Sequence, residues 1–391
     1  MTNFLIQWFV KDYQDTSNVK TRERYGMFAG IVGIATNILL FLIKITTGLF
    51  FHSIAIIADA INNLSDSGSS LVTLLGFKIA GKPADTEHPF GHARMEYISG
   101  LIVSFIILFL GLQLIQSSVD KIIHPQTAGF NMISIGVLAV SILIKLWQAG
   151  FYRKISKIID STTLIATSMD SRNDILATSA VLVGTVITRF TGFNLDGYMG
   201  VTVALFILVT GVKLVMDTSS PLLGMAPSRE LVDSIYQKIL SYDGIVGLHD
   251  LMVHSYGQGR CFASAHCEVP AEQDIMVSHD IIDNIERDFL MERGIHLVIH
   301  LDPIVTDDPK TNELKAKVIN RIEQISPEIG IHDFRVVWGV SHANLIFDVV
   351  VPFKFQWSDN ELIQLISDAV YKVDATYHSV ITIDHHYVPR N

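Results

Sequence analysis

Asn62 and Asp66, and again Asp170 and Asp174, stand four residues apart inside segments otherwise apolar enough to span a bilayer. Four residues is about one helical turn, so each pair presents its oxygens from one face of one helix. A carboxylate at membrane depth costs roughly 2.5–3.5 kcal/mol on insertion scales and is seldom placed there without a task. Three carboxylates and one amide, all oxygen donors, suit a hard divalent cation. The alternative is interhelical hydrogen bonding between polar side chains. One pair would fit that alternative, whereas two pairs on two helices, with three carboxylates among them, favour an ion. Without metal the carboxylates would repel one another, so at least one should hold a proton that metal binding displaces. The four include no His or Cys, so nothing soft selects zinc. The donors suit Mn2+ first, with Zn2+ or Fe2+ as alternatives.

The elements that must position these residues are read from composition. Of 391 residues 49% are hydrophobic and only 17% charged, where a soluble chain carries about a quarter. The deficit lies almost wholly before residue 225. Six apolar segments of spanning length run near 25–51, 53–80, 97–122, 128–151, 163–190 and 195–223. Basic residues cluster before the first span (Lys11, Lys20, Arg22, Arg24), between the second and third (Lys78, Lys82, Arg94), and between the fourth and fifth (Arg153, Lys154, Lys157). That pattern puts both termini in the cytoplasm and requires an even number of spans. The apolar run from Phe4 to Val10 is too short for a cleavable signal and reads as an amphipathic segment at the cytoplasmic surface. The net charge of −10 resides mainly in the second half, which argues against nucleic acid as a partner. Cys261 and Cys267 give no disulfide framework and read as half-buried strand residues. An intramembrane metalloenzyme would need a His-rich metal with an open position, which the spans do not offer. A passive cation channel could use similar carboxylates and stays open as an alternative.

After Met225 the composition changes to a soluble α+β pattern. A helix over 230–241, strands over 247–255 and 261–269, a helix over 277–293 and a strand over 296–301 suggest a small ferredoxin-like layer. The order then recurs, with a helix at 312–325, strands at 331–338 and 343–351, a helix at 359–374 and a strand at 380–387. Local echoes support a duplication: Gly247-Leu-His-Asp-Leu beside Gly330-Ile-His-Asp-Phe, and Cys267-Glu-Val-Pro beside Val349-Val-Val-Pro. One larger α+β domain is the alternative. The expected layout is therefore a cytoplasmic segment (1–24), a six-helix transmembrane domain (25–225), a ferredoxin-like metal-binding domain (226–305) and a second ferredoxin-like repeat (306–391).

The chain resembles the cation diffusion facilitator family of metal/proton antiporters. The resemblance is carried by Ala58-Asp-Ala-Ile-Asn-Asn-Leu-Ser-Asp66, by Pro83-Ala-Asp-Thr-Glu-His-Pro-Phe-Gly-His92 and by Asp170-Ser-Arg-Asn-Asp174. It extends to about residue 305. It implies a transport site on Asn62, Asp66, Asp170 and Asp174, and an efflux transporter rather than an enzyme. Zinc-transporting members typically carry His at the position of Asp170 and Asp at that of Asn62, so this set looks like the manganese-exporting branch. The resemblance also implies a cytoplasmic loop site on Asp85, His88 and His92, for which a loop-to-helix hinge is the alternative. In the soluble module it implies a divalent metal, Zn2+ or Mn2+, regulatory or structural, on His249, His266, His279, His300 and Asp302. The expected assembly is a homodimer in a bacterial plasma membrane, paired through transmembrane and cytoplasmic domains, exchanging Mn2+ for protons. The module from Thr306 onward departs from many members; its equivalent positions include His332, Asp348, Asp384 and His385, an altered donor set.

Overall fold

A computed structural model describes residues 2–16, 18–50, 54–124, 132–191 and 196–386. The chain divides into two compact units, Met1–Met225 with the Tyr256–Arg260 turn, and Ala226–Ser255 with Cys261–Asn391. In the first, a short helix α1 (Thr2–Phe9) precedes six long ones: α2 (Val19–Phe50), α3 (Ile54–Ala80), α4 (Met95–Ile123), α5 (Met132–Ile159), α6 (Thr162–Thr191) and α7 (Asp196–Leu223). The shortest of the six has 27 residues, about 40 Å at helical rise and longer than a bilayer core. Four of them, within α2, α4, α5 and α7, are long and apolar enough to cross a membrane. Composition thus supports four of the six expected spans. The remaining two, α3 and α6, are the helices that carry the polar pairs.

Burial in this unit is reversed from that of a soluble protein. Leu39, Phe105, Phe109, Leu143, Phe206 and Val209 are exposed, while Asn37, Lys44, Ser104, Lys145, Gln148 and Thr218 are buried. Large outward apolar surface with a polar interior is the arrangement a lipid solvent selects. The helices pack chiefly as α2 with α3, α4 with α7 and α5 with α6. Small residues permit the close approach: a Cβ on Gly30 would lie 3.0 Å from the Leu74 Cα on α3. The ends of α2 and α5 pass beyond the apolar stretches marked in the sequence. There Tyr25, Phe151, Tyr152, Ile155 and Ile159 form an apolar cluster with Ile6 of α1 and Val10.

The second unit repeats one pattern. It runs α8 (Arg229–Leu240), β1 (Gly247–Ser255), β2 (Cys261–Pro270), α9 (Ile275–Arg293), β3 (Ile295–Ile304), then α10 (Pro309–Glu323), β4 (Gly330–Trp338), β5 (Ala343–Pro352), α11 (Asp359–Tyr371) and β6 (Tyr377–His386). Each copy has a three-stranded sheet, ordered β1-β2-β3 and β4-β5-β6. In each, the first pair is antiparallel and the second parallel, joined through the intervening helix. The cores are separate, with Ile235, Cys267, Ile285 and Phe289 in one and Val318, Phe347, Leu362 and Ile366 in the other. Asp274 and Asp308 cap α9 and α10 by accepting backbone N–H bonds, as helix-initiating carboxylates do.

One irregularity is copied with the fold. The ladder slips between His249 and Met252 in β1 and between His332 and Arg335 in β4. One extra residue on the first strand makes a bulge, and Asp250 and Asp333 take the left-handed backbone with φ of 51° in each copy. Bulges of this kind re-aim the neighbouring side chains.

Candidate metal centres

In the first unit, the i, i+4 spacing sets Asn62 and Asp66 on one face of α3 and Asp170 and Asp174 on one face of α6. Asp66 and Asp170 are buried, at 2% and 6% exposure. Between them reaches a residue the sequence reading passed over. The Lys145 ammonium on α5 donates to Asp66 Oδ2 at 2.7 Å and to Asp174 Oδ2 at 2.5 Å. Asn63 Nδ2 donates to the same Asp66 oxygen at 3.2 Å. Among the described residues Asp66 Oδ1 has no hydrogen-bond partner. Asp170 is within electrostatic reach of Asp66, Asp174 and Lys145. Asn62 lines, with Asn63, Lys44, Lys145 and Asp174, a cavity of about 10 Å3, the room taken by one water. The structure therefore gathers the three carboxylates around one ammonium and sets the amide on the wall of the adjoining cavity.

A divalent ion ligated by Asp66 and Asp174 would occupy the region that the Lys145 Nζ holds, because oxygen–metal distances of about 2.0–2.6 Å are close to these contacts. The signal for Lys145 was present in the sequence. A lysine in the middle of an apolar run is as costly as a buried aspartate, and counting basic residues only at span ends misses it. Lys44, buried in the same cavity wall, was missed for the same reason.

The loop between α3 and α4 brings Asp85, His88 and His92 together, with one ligand atom of each inside 4.8 Å of the others. Asp85 Oδ1 accepts the backbone N–H groups of His88 at 2.7 Å and Glu87 at 3.1 Å. The His88 bond, more than the nearby imidazoles, holds the Asp85 carboxyl below the usual carboxylate range. His88 Nδ1 lies 3.5 Å and His92 Nε2 3.4 Å from the two oxygens. One carboxylate and two imidazoles could chelate a borderline cation.

In the first module of the second unit, His249, His266 and Asp302 form a trio of the same dimensions. Strand register explains it: His249 faces His266 across the antiparallel pair, and His266 faces His300 across the parallel one. Asp302 Oδ2 lies 2.9 Å from His266 Nδ1, and its Oδ1 lies 2.9 Å from His300 Nδ1. Burial would depress the His249 pKa, but its hydrogen bond with Asp250 and the charges of Asp250, Glu268 and Asp302 outweigh that and raise it. Imidazole-rich donors of this kind suit Zn2+ better than Mn2+. His279, exposed in the first turn of α9, joins no such trio among the described residues. In the second module the matching register gives His332, Asp348 and Asp384 as a trio. Thr382 stands where the first module has His300. His385 turns away from the trio to Asp359, at 3.0 Å.

Comparison with known proteins agrees with both units. The cation efflux transmembrane domain matches residues 30–223, and the cation efflux protein cytoplasmic domain matches 227–304. An uncharacterized transporter of Methanocaldococcus jannaschii is 32% identical over 270 residues, 66% of this chain and 95% of that protein. The manganese efflux system protein MneS of Bacillus subtilis is 29% identical over 288 residues, 72% of this chain and 99% of MneS. The cation-efflux pump FieF of Pectobacterium atrosepticum is 27% identical over 277 residues, 71% of this chain and 92% of FieF.

Proposed function

The chain belongs to the cation efflux (cation diffusion facilitator) family of membrane transporters, and from that premise we propose that it exports Mn2+ from the cytoplasm in exchange for protons. The observation that carries this reading is the oxygen-only donor set with Lys145 bridging Asp66 and Asp174. Oxygen donors without sulfur or imidazole favour manganese over zinc, and MneS, named for manganese efflux, is among the relatives.

The bridging ammonium sets the order of events. Three clustered carboxylates, two of them buried, cannot be left without compensating charge at membrane depth. In the metal-free arrangement Lys145 compensates part of it, and protons shared among the carboxylates supply the rest. An arriving Mn2+ takes over Asp66 and Asp174, displaces the ammonium and releases protons, because metal ligation requires deprotonated carboxylates. Asn62 and Asp170 complete the oxygen shell. Rocking of the six spanning helices then exposes the site to the other face. The working form is a homodimer in a bacterial plasma membrane, with both termini in the cytoplasm and the soluble modules (226–305 and 306–391) on that side.

Reconstituted vesicles test the reading. With an imposed pH gradient, and Mn2+, Zn2+, Fe2+ and Cd2+ offered in turn, Mn2+ is expected to accumulate against its own gradient and fastest of the four. Flux that runs only downhill and ignores the pH gradient would establish a passive channel instead.

A further inference from the structure

The two soluble modules meet bulge against bulge. The His249 and His332 rings stack with centroids 4.2 Å apart and planes 25° from parallel. Beside them the Asp333 N–H donates to Glu268 Oε1 of the first module at 3.0 Å. The copied bulge in β1 and β4 therefore brings the two His-Asp pairs to one seam.

We propose that this seam is itself a divalent-cation site, ligated by His249 and Asp250 of the first module and His332 of the second. One ligand atom from each of the three lies within 4.8 Å of the others. That spacing closes onto a single ion with side-chain adjustments of about an ångström, given metal–ligand bonds of about 2.0–2.2 Å. The site shares His249 with the set implied for the family's soluble domain but adds His332, which lies beyond both matched segments.

A second observation points independently to a ligand. His249 is 94% buried by its 6% exposure, and among the described residues its Nε2 has no hydrogen-bond partner and His332 Nδ1 has none either. A buried nitrogen left unpaired costs about 1–3 kcal/mol; His332 Nδ1 belongs to the ring stacked on His249, and His249 turns its other nitrogen, Nδ1, to Asp250 at 3.3 Å. Carboxylates stand on either flank: Asp302 Oδ2 is 3.3 Å from His249 Nε2, and Asp384 Oδ2 is 3.5 Å from His332 Nε2. Two imidazoles and one carboxylate, with an open fourth position, match the donors of a zinc-class ion better than those of manganese. A cation there ties the second module to the first. The extra module then acts as a built-in partner whose docking follows the concentration of a zinc-class metal, independently of the transport site.

The test uses the full chain, purified in detergent and stripped with a chelator, with Zn2+ alone and Mn2+ alone as probes. Hydrogen exchange is followed over residues 247–253 and 330–336, and bound metal is counted by equilibrium dialysis. Zn2+ is expected to slow exchange in both segments of the native chain. His332→Asn and Asp250→Asn are each expected to remove one bound Zn2+ or weaken it at least tenfold, and to remove the protection at 330–336. Protection confined to 247–253 in the native chain would overturn the proposal without requiring any variant to fold. Unchanged stoichiometry and affinity in both variants would overturn it as well. Transport is not among the readouts, so failure here leaves the export reading untouched.

Discussion

Between α3, α5 and α6 the oxygen donors already hold a cation, Lys145 Nζ at 2.7 and 2.5 Å from Asp66 and Asp174. In the soluble unit, among the described residues, His249 Nε2 and His332 Nδ1 are buried without hydrogen-bond partners. The contrast follows from what each donor costs when left alone. An isolated carboxylate in low dielectric costs several kcal/mol even after relaxation, so the membrane site must always contain some positive charge. A single ring nitrogen without a hydrogen-bond partner costs about 1–3 kcal/mol, which a folded module tolerates. The first kind of site exchanges one cation for another and suits transport. The second switches between occupied and unoccupied and suits sensing.

The largest expected effect breaks the membrane side of this contrast. Asp66→Ala or Asp174→Ala removes a ligand and one of the two anchors of Lys145. Manganese efflux from cells is expected to fall to background with the protein still present in the membrane. Breaking a buried ion pair costs about 3–5 kcal/mol, so protein abundance must be measured in the same cells. Undiminished efflux in either variant would remove these residues from the transport site.

The next effect separates the two regions. Phe289, fully buried in the first soluble core with Ile235 and Ile285, is expected to cost about 3–5 kcal/mol when cut to Ala. Hydrogen exchange should then rise across β1 to β3, and Zn2+ binding by His249, His266 and Asp302 should weaken. Mn2+ binding to the membrane donors should stay as it was. Equal losses at both sites would mean that the donors of the two units form one system.

What was legible in the sequence divides along similar lines. The strands of the soluble unit were readable, and β1 matches its expected bounds of 247 and 255 while β4 begins one residue before its expected 331. The long helices were readable only as apolar stretches. Thus α2 begins at Val19 rather than near 25, and α5 runs to Ile159 rather than to 151, because tertiary packing with α1 extends them past the lipid-like composition. The aspartates of α3 and α6 stood out as a compositional anomaly. Lys145 was the same kind of anomaly, but an ammonium cannot ligate a metal and so carries no ligand signal of its own. The seam was not legible at all. The Gly-x-His-Asp echo is visible in the chain, yet the left-handed φ of Asp250 and Asp333 and the stacking of His249 on His332 are products of register and module packing.

Lys145→Met sharpens the contrast by making the membrane donors resemble the soluble ones, unpartnered until a ligand arrives. With the competing ammonium gone, Mn2+ is expected to bind at least tenfold more tightly to purified protein, about 1.4 kcal/mol. Turnover should fall, since nothing then helps the ion to leave. Titration calorimetry and vesicle flux measure the two separately. An unchanged binding constant would show that Lys145 and the metal do not compete for the same oxygens.

The smallest effect is expected at Asn62, the one neutral donor. It is half-buried on the wall of the cavity that Lys44, Lys145 and Asp174 also line. Asn62→Asp adds a fourth carboxylate near two ammonium groups, so the site gains attraction for every divalent cation and also a further proton acceptor. Both changes are nonspecific in sign. Selectivity moves only through the difference between metals, and zinc gains more than manganese from an added anionic oxygen because it stands higher in the general affinity order. The ratio of Zn2+ to Mn2+ flux is therefore expected to rise about fivefold, roughly 1 kcal/mol, measured as competitive flux in one vesicle preparation at fixed pH. A ratio that does not move would place selectivity in the three carboxylates and Lys145, leaving the amide as packing on the cavity wall.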